Sequence, residues 1–180
     1  NVALKGLKIT GITGTSAARS CIGGGHNFVN YTQPDNVLIE KMLIDGNDAF
    51  GIYTNGNLIL DHWTIHDNKI QNLTFANASA ILPWKQTNLT ITDNMISNIG
   101  FGGINVADVN TGLVNNNKIT NVNANGIQVA YNSTYTTSNI NITNNTVDKA
   151  NTSLTADYGG IRLYGSTQIS GFVNITNNTV

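Results

Sequence analysis

"NINITNNTV" (139–147) and "FVNITNNTV" (172–180) lie 33 residues apart and agree at seven of nine positions. Aligning the rest of the chain on this block yields "NVALKGLKI" (1–9), "NVLIEKMLI" (36–44), "NLILDHWTI" (57–65), "NLTITDNMI" (88–96) and "TGLVNNNKI" (111–119). Position four reads Leu4, Ile39, Leu60, Ile91, Val114, Ile142 and Ile175, and position nine reads Ile9, Ile44, Ile65, Ile96, Ile119, Val147 and Val180. Both columns are aliphatic in every copy. Position seven reads Leu7, Met42 and Trp63, then Asn94, Asn117, Asn145 and Asn178.

A second short segment follows each full copy: "CIGG" (21–24), "GIYT" (51–54), "AILP" (80–83), "GINV" (103–106), "GIQV" (126–129) and "GIRL" (160–163). Its second place is always isoleucine, at Ile22, Ile52, Ile81, Ile104, Ile127 and Ile161. Copy starts are separated by 35, 21, 31, 23, 28 and 33 residues, so the segments keep a pattern while the loops between them vary. Apolar residues at alternate places mark strands with one buried face. One such unit cannot bury that face alone, whereas stacked units bury it against neighbours above and below. The expected fold is therefore all-β, a single-stranded solenoid of about six coils forming one domain over 1–180. The repeat starts and stops in mid-coil, uncapped at both ends, so we expect a segment of a longer chain or ends that stack on other copies.

Composition narrows the function. Only 11% of residues are charged against about 25% in typical globular proteins, and asparagine fills about one position in six. A net charge of −1 gives no basic footprint for nucleic acid. No apolar run reaches the roughly 20 residues of a membrane-spanning helix, so no membrane insertion is expected. The chain opens without an initiator methionine, which puts any targeting segment outside these residues. Cys21 is the only cysteine and has no internal disulfide partner.

The pattern G-I-x-V, a turn, then I-x-x-N-x-I resembles, over essentially the whole chain, the repeat of right-handed parallel β-helices of the pectate-lyase-like superfamily. The six-residue period of left-handed solenoids and the G-G-x-G-x-D calcium repeat are absent. The resemblance implies that G-I-x-V is the first sheet, that I-x-x-N is the second, and that the Asn opens a turn into the third. It also implies a functional face on the outside of the first sheet. By position, that face carries Gly23, Tyr53, Leu82, Asn105, Gln128 and Arg162. Asn55, Trp84, Lys85, Asp108, Tyr131 and Tyr164 lie just beyond them, and Asp48, Phe50, Phe75, Phe101, Asp157 and Tyr158 sit in the entering loops.

Tyr53, Trp84, Tyr158 and Tyr164 are plates that stack on pyranose rings, and Asn105 and Gln128 supply hydrogen bonds. These six are the expected substrate-binding set. Arg162 and Lys85 suit uronate carboxylates. A lyase or epimerase needs a base and a cation, which makes Arg162, Tyr131, Lys85 and Asp108 the catalytic candidates. The superfamily also holds hydrolases, but the paired carboxylates a hydrolase needs are not apparent in the sequence, and neither is the acidic cluster of calcium-dependent lyases. Calcium remains open as a cofactor. The competing reading of the same residues is scattered surface aromatics on a non-catalytic structural or adhesive protein.

Four further features are expected to be structural. The Asn column forms an inward amide ladder, and Trp63 fills core at the Asn place of its coil. Lys5, Glu40 and Asp61 form an outward charge ladder. In "LDHWTIHDN" (60–68), Glu40 stacks beside Asp61 and Asp45 beside His66, a patch that suits a divalent metal only if His62 and His66 converge. His26 has no assigned role. Sequons at Asn30, Asn72, Asn77, Asn88, Asn132 and Asn151, with others along the repeat, are expected N-glycan sites of a secreted or cell-surface protein. The expected partners are an acidic polysaccharide and, by end-to-end or lateral stacking, other copies.

Overall fold

The computed structural model describes residues 1–13, 20–24, 34–54, 59–130, 135–154, 157–165 and 169–180. Each repeat winds once through three parallel faces. The first face stacks Ser20–Gly24, Phe50–Thr54, Ile127–Ala130 and Ile161–Tyr164 with the leading ends of Ile81–Thr92 and Ile104–Asn115. The second stacks Val2–Lys5, Val37–Glu40, Trp63–His66, Thr137–Thr143 and Ile169–Thr176 with the trailing ends of the same two strands. The third is a separate six-stranded sheet running from Lys8–Thr10 to Thr146–Asp148.

The core is built of columns, because each coil repeats its inward residues in parallel register. Ile22, Ile52, Ile81, Ile104, Ile127 and Ile161 line the first face, and Ile39, Ile65, Ile91, Val114 and Ile142 line the second. The five second-face residues are all at 0% exposure. Burial of each such side chain is worth about 1.5–3 kcal/mol. β-branched residues suit this role because their stiff side chains pack well on a pleated surface.

Corners form where the backbone enters the left-handed region. Lys41, Asp67, Asp93, Asn116, Asn144 and Asn177 have φ between 51° and 60° at the corner leading from the second to the third face. Asn and Asp tolerate this conformation best among non-glycine residues. The next residue points inward. Asn68, Asn94, Asn117, Asn145 and Asn178 form the amide ladder, each Nδ2 of the first four donating to the following Oδ1 at 2.9 Å. Each Oδ1 also accepts the backbone N–H of the preceding ladder residue, so buried donors of the turn find partners.

The structure corrects the alignment of the third copy. Ile39 pairs with Ile65, not Leu60, and the ladder residue of that coil is Asn68, not Trp63. The copy is "HWTIHDNKI" (62–70), which gives two successive offsets of 26 residues (Val37 to Trp63, Thr64 to Thr90). Two overlapping alternations fit this stretch, and the buried ladder decides between them. Asn68 accepts the Met42 N–H at 3.0 Å and donates to Ile39 O at 2.9 Å, which an indole at that place cannot do. Trp63 instead packs in the column of Val37, with its Nε1 donating to Pro34 O at 2.9 Å.

The corrected register also reassigns the polar columns. Glu40 lies beside His66, Asp45 beside Gln71 and Asp61 beside Thr87. Lys5 and Glu40 do pair, at 3.1 Å, but Asp61 is not in their column. About four turns have a coil on both sides of every face, against six coils predicted. Among the described residues, the rungs starting at Ser20 and Ile161 have a first-face neighbour on one side only.

Candidate functional site

The outward column of the first face is Gly23, Tyr53 and Leu82 at one end and Asn105, Gln128 and Arg162 at the other. Its two halves differ in character. Tyr53 stacks on Phe50 with ring centroids 4.6 Å apart, and Phe75 meets Phe50 edge-on at 5.8 Å. Ala78, Leu82 and Trp84 complete this apolar cluster. Tyr53 is 9% exposed, so it is not the open sugar-stacking plate its position suggests: the loop carrying Phe75 and Ala78 covers it. Trp84 is half-buried there, with its backbone N and O both bonded to the Thr54 hydroxyl at 2.7 and 3.0 Å.

The other half is open. A groove of about 300 Å³ is lined by Phe101, Gln128, Asp157, Tyr158, Arg162 and Tyr164. Four of the ten expected catalytic and substrate-binding residues are thus brought together, with two aromatic and acidic residues from the entering loops. Arg162 lies over the Tyr164 ring, 4.7 Å from guanidinium carbon to centroid. Tyr158 meets Phe101 edge-on at 5.7 Å, which fixes the ring as one wall. Gln128 Oε1 accepts from Asn125 Nδ2 at 2.6 Å, and Gln128 Nε2 reaches Asn105 Oδ1 at 3.5 Å. Asn105 borders the groove through this contact.

Sequence reasoning missed Asn125. It is 3% exposed, and its Oδ1 accepts the Gly159 N–H at 2.9 Å while its Nδ2 holds Gln128. One side chain therefore ties the loop before Ile161–Tyr164 to the groove floor. Its signal was present: Asn125 precedes G-I-Q-V at a place filled by Ser79 and Gly102 in the two preceding coils.

The expected catalytic set does not assemble. Asp108 is fully buried, and its φ of 55° places it at the bend between the first and second faces, opposite Lys85 with φ 53°. That bend makes both residues corner positions. The strands carrying Lys85 and Arg162 are separated by two others, about 14 Å at the usual strand spacing. Tyr131 lies outside the described residues, as do His26, Asn30, Asn55 and Asn132. The described lining of the groove includes one carboxylate, Asp157. Glycoside hydrolysis uses two, and calcium takes six to eight oxygen ligands; neither requirement fits these side chains.

The histidine patch resolves into two separate pairs. His62 Nδ1 lies 2.7 Å from Asp61 Oδ2, and His66 Nδ1 lies 3.2 Å from Asp93 and 3.0 Å from the Thr92 hydroxyl. Among the described residues no three His, Cys, Asp or Glu side chains gather closely enough to hold a metal ion. Hydrogen bonds from the Thr87 hydroxyl and the Asn88 amide, then from His62, hold the Asp61 carboxyl down at about 2. Of the described sequon asparagines, Asn77, Asn88, Asn144, Asn174 and Asn177 are exposed, and Asn72, Asn141 and Asn151 are half-buried. Asn88 Nδ2 donates to Asp61 at 2.9 Å and Asn72 Nδ2 to Asp45 at 2.8 Å.

A family model described as the right-handed β-helix region matches residues 68–180. The chain belongs to the right-handed β-helix family. The match starts at Asn68, the first asparagine of the ladder, and spans every coil from there on. No curated protein and no solved structure matches the chain. Family membership places the groove on the outside of a β-helix but assigns it no ligand, because one fold hosts many functions.

Proposed function

We propose that this β-helix domain is an extracellular recognition module that binds an acidic polysaccharide through the groove at Gln128, Tyr158, Arg162 and Tyr164. The observation that carries this reading is Arg162 stacked on Tyr164 at 4.7 Å in an open groove with a second aromatic wall. The stack fixes the planar guanidinium, whose paired N–H groups match a carboxylate. Tyr158 offers a face for a pyranose, and Gln128 and Asp157 offer hydrogen bonds to ring hydroxyls. Binding is proposed without hydrolysis because the described lining of the groove holds one carboxylate where a glycosidase uses two.

Affinity electrophoresis through gels containing pectate, alginate, a glycosaminoglycan or a neutral glycan tests this, with and without calcium. Retardation by at least one acidic polymer, lost in Arg162→Ala, is the expected result. Equal mobility in every gel, or retardation that Arg162→Ala leaves intact, overturns it. Chain shortening or unsaturated ends in the same gels would add processing to binding.

A structural role in a surface or filament protein is the second reading. It is favoured by the outward side of the second face, where Thr90, Thr92, Asn115, Asn141, Thr143, Asn174 and Thr176 surround the exposed Leu113 in an uncharged grid. Such a face suits lateral packing of copies. Light scattering across a concentration series tests it, and a strictly monomeric domain that binds glycans would leave only the first reading.

A further inference from the structure

The groove does not end at Tyr158. Phe101 and Tyr158 also line a second hollow of about 300 Å³, together with Asn77 and Ser153. That hollow shares Gly100 and Asn123 with a third, of about 270 Å³, lined by Thr74, Asn98 and Asn121 at the edge of the third face. The three hollows make one track that leaves the first face, turns the corner behind the Phe101–Tyr158 pair and reaches the third face.

The chemistry changes along it. Arg162 and Asp157 are the only charged side chains among the described residues lining the three hollows, and both lie in the first. Beyond Tyr158 the lining is uncharged, with amides and hydroxyls interspersed with Ala76, Leu73, Ile99 and Gly100. Asn98 Nδ2 donates to Asn72 Oδ1 at 2.9 Å and Asn121 Nδ2 to Asn98 Oδ1 at 2.7 Å. Each amide nitrogen keeps a second hydrogen, and the ladder presents evenly spaced neutral donors and acceptors. A polymer with a carboxylate on every sugar would set the charges that lie over Asn77 and Asn123 against an uncharged lining, at a desolvation cost, and would meet a cation only at the far edge, where Lys149 stands one rung beyond Asn121.

Building on the groove reading above, we infer that the ligand is a mixed glycan, with one acidic sugar at Arg162 and neutral sugars running past Tyr158 over Asn77 and Asn123 toward Asn98 and Asn121. Asn77 heads the sequon Asn77-Ala78-Ser79. A glycan attached there would fill the middle hollow, so ligand binding along the track and modification at Asn77 exclude each other.

Calorimetry on protein made in a host without N-glycosylation tests the track. The probes are a tetrasaccharide with one terminal uronic acid and three neutral hexoses, the free uronic acid, and tetragalacturonate. The tetrasaccharide should bind about tenfold or more tighter than the free acid, and no more weakly than tetragalacturonate. Asn77→Trp, at an exposed turn position, should abolish that gain while leaving the free acid unaffected, and Asn77→Ala should not. Equal affinity for free acid and tetrasaccharide, a tenfold preference for tetragalacturonate, or no effect of Asn77→Trp overturns the track and leaves the groove standing. Failure of all three acidic probes to bind overturns the groove reading and the track with it.

Discussion

Asn94 Nδ2 donates to Asn117 Oδ1 at 2.9 Å, and the same oxygen takes the Asn94 backbone N–H at 3.0 Å. Asn117 in turn donates to Ile91 O at 3.0 Å and to Asn145 Oδ1 at 2.9 Å, at 1% exposure. Removing this amide leaves several buried groups without partners, each costing about 1–3 kcal/mol. Asn117→Ala should therefore destabilise the domain by about 3 kcal/mol or more in urea unfolding. Asn121→Gly removes an amide that donates to Asn98 Oδ1 at 2.7 Å at an exposed corner, where water replaces it and glycine keeps the φ of 57°. That change should cost no more than about 1 kcal/mol. Similar losses for the two would mean that burial does not set the ladder's worth.

The columns were legible because repetition multiplies a weak signal. One strand of alternating residues is ambiguous, but Ile52, Ile81, Ile104 and Ile127 in the same place are not. The third copy failed for the same reason in reverse: Leu60 and Ile65 both fit the aliphatic column, and only the hydrogen-bonding of Asn68 separates them. The first-face column was also legible, since register follows from the isoleucines. Its exposure was not. Whether Tyr53 is covered and Arg162 open depends on where Phe75 and Tyr158 fold back, and loop length alone does not encode that. Asp108 was misplaced because a bend inside a continuous strand leaves no mark in an alternation pattern.

Gly103 shows a close approach between coils. A Cβ there would meet the carbonyl of Gly126 and come within 2.8 Å of Ile119 Cγ2. Both neighbours are buried and held by adjacent rungs, so neither can withdraw cheaply. Gly103→Ala should cost about 2 kcal/mol, read as a lowered urea midpoint. Gly159→Ala, where nothing lies within 4 Å, should be neutral or slightly stabilising. The close-packing account fails if the two substitutions behave alike.

Asp61 gives stability a pH dependence of known sign. Its carboxyl is held at about 2, against about 3.9 for an unperturbed aspartate. A carboxyl whose folded value lies below its unfolded value stabilises fully above the unfolded value and loses that contribution as pH falls through the folded one. The window is therefore about pH 4 down to 2. Glu40, bonded to Lys5, and Asp45, bonded to Asn72, are lowered as well and add in the same direction. Thermal melts of the wild type and Asp61→Asn should differ most above pH 4 and converge toward pH 2. A gap that stays constant across that range would show that the carboxylate charge is not what the Thr87 and Asn88 bonds stabilise.

Asn125 touches no ligand in the proposed groove, yet it should control binding. Its two bonds, to Gln128 Oε1 at 2.6 Å and from Gly159 N at 2.9 Å, tie the floor of the groove to the loop that carries Asp157 and Tyr158. Asn125→Ala breaks both, frees the Gln128 amide to rotate and loosens the Tyr158 wall. Affinity for the retained acidic glycan should fall about tenfold, as expected when a preorganised site must be ordered on binding. Asn125→Asp keeps the acceptor for Gly159 but loses the donor to Gln128, so it should restore the loop and recover only part of the affinity. Amide exchange at Gly159 separates the two effects: fast in Asn125→Ala and protected in Asn125→Asp. Full affinity in Asn125→Ala would mean that the groove is ordered without this residue, and that Gln128 and Tyr158 hold their places through the Phe101 contact and the strand alone.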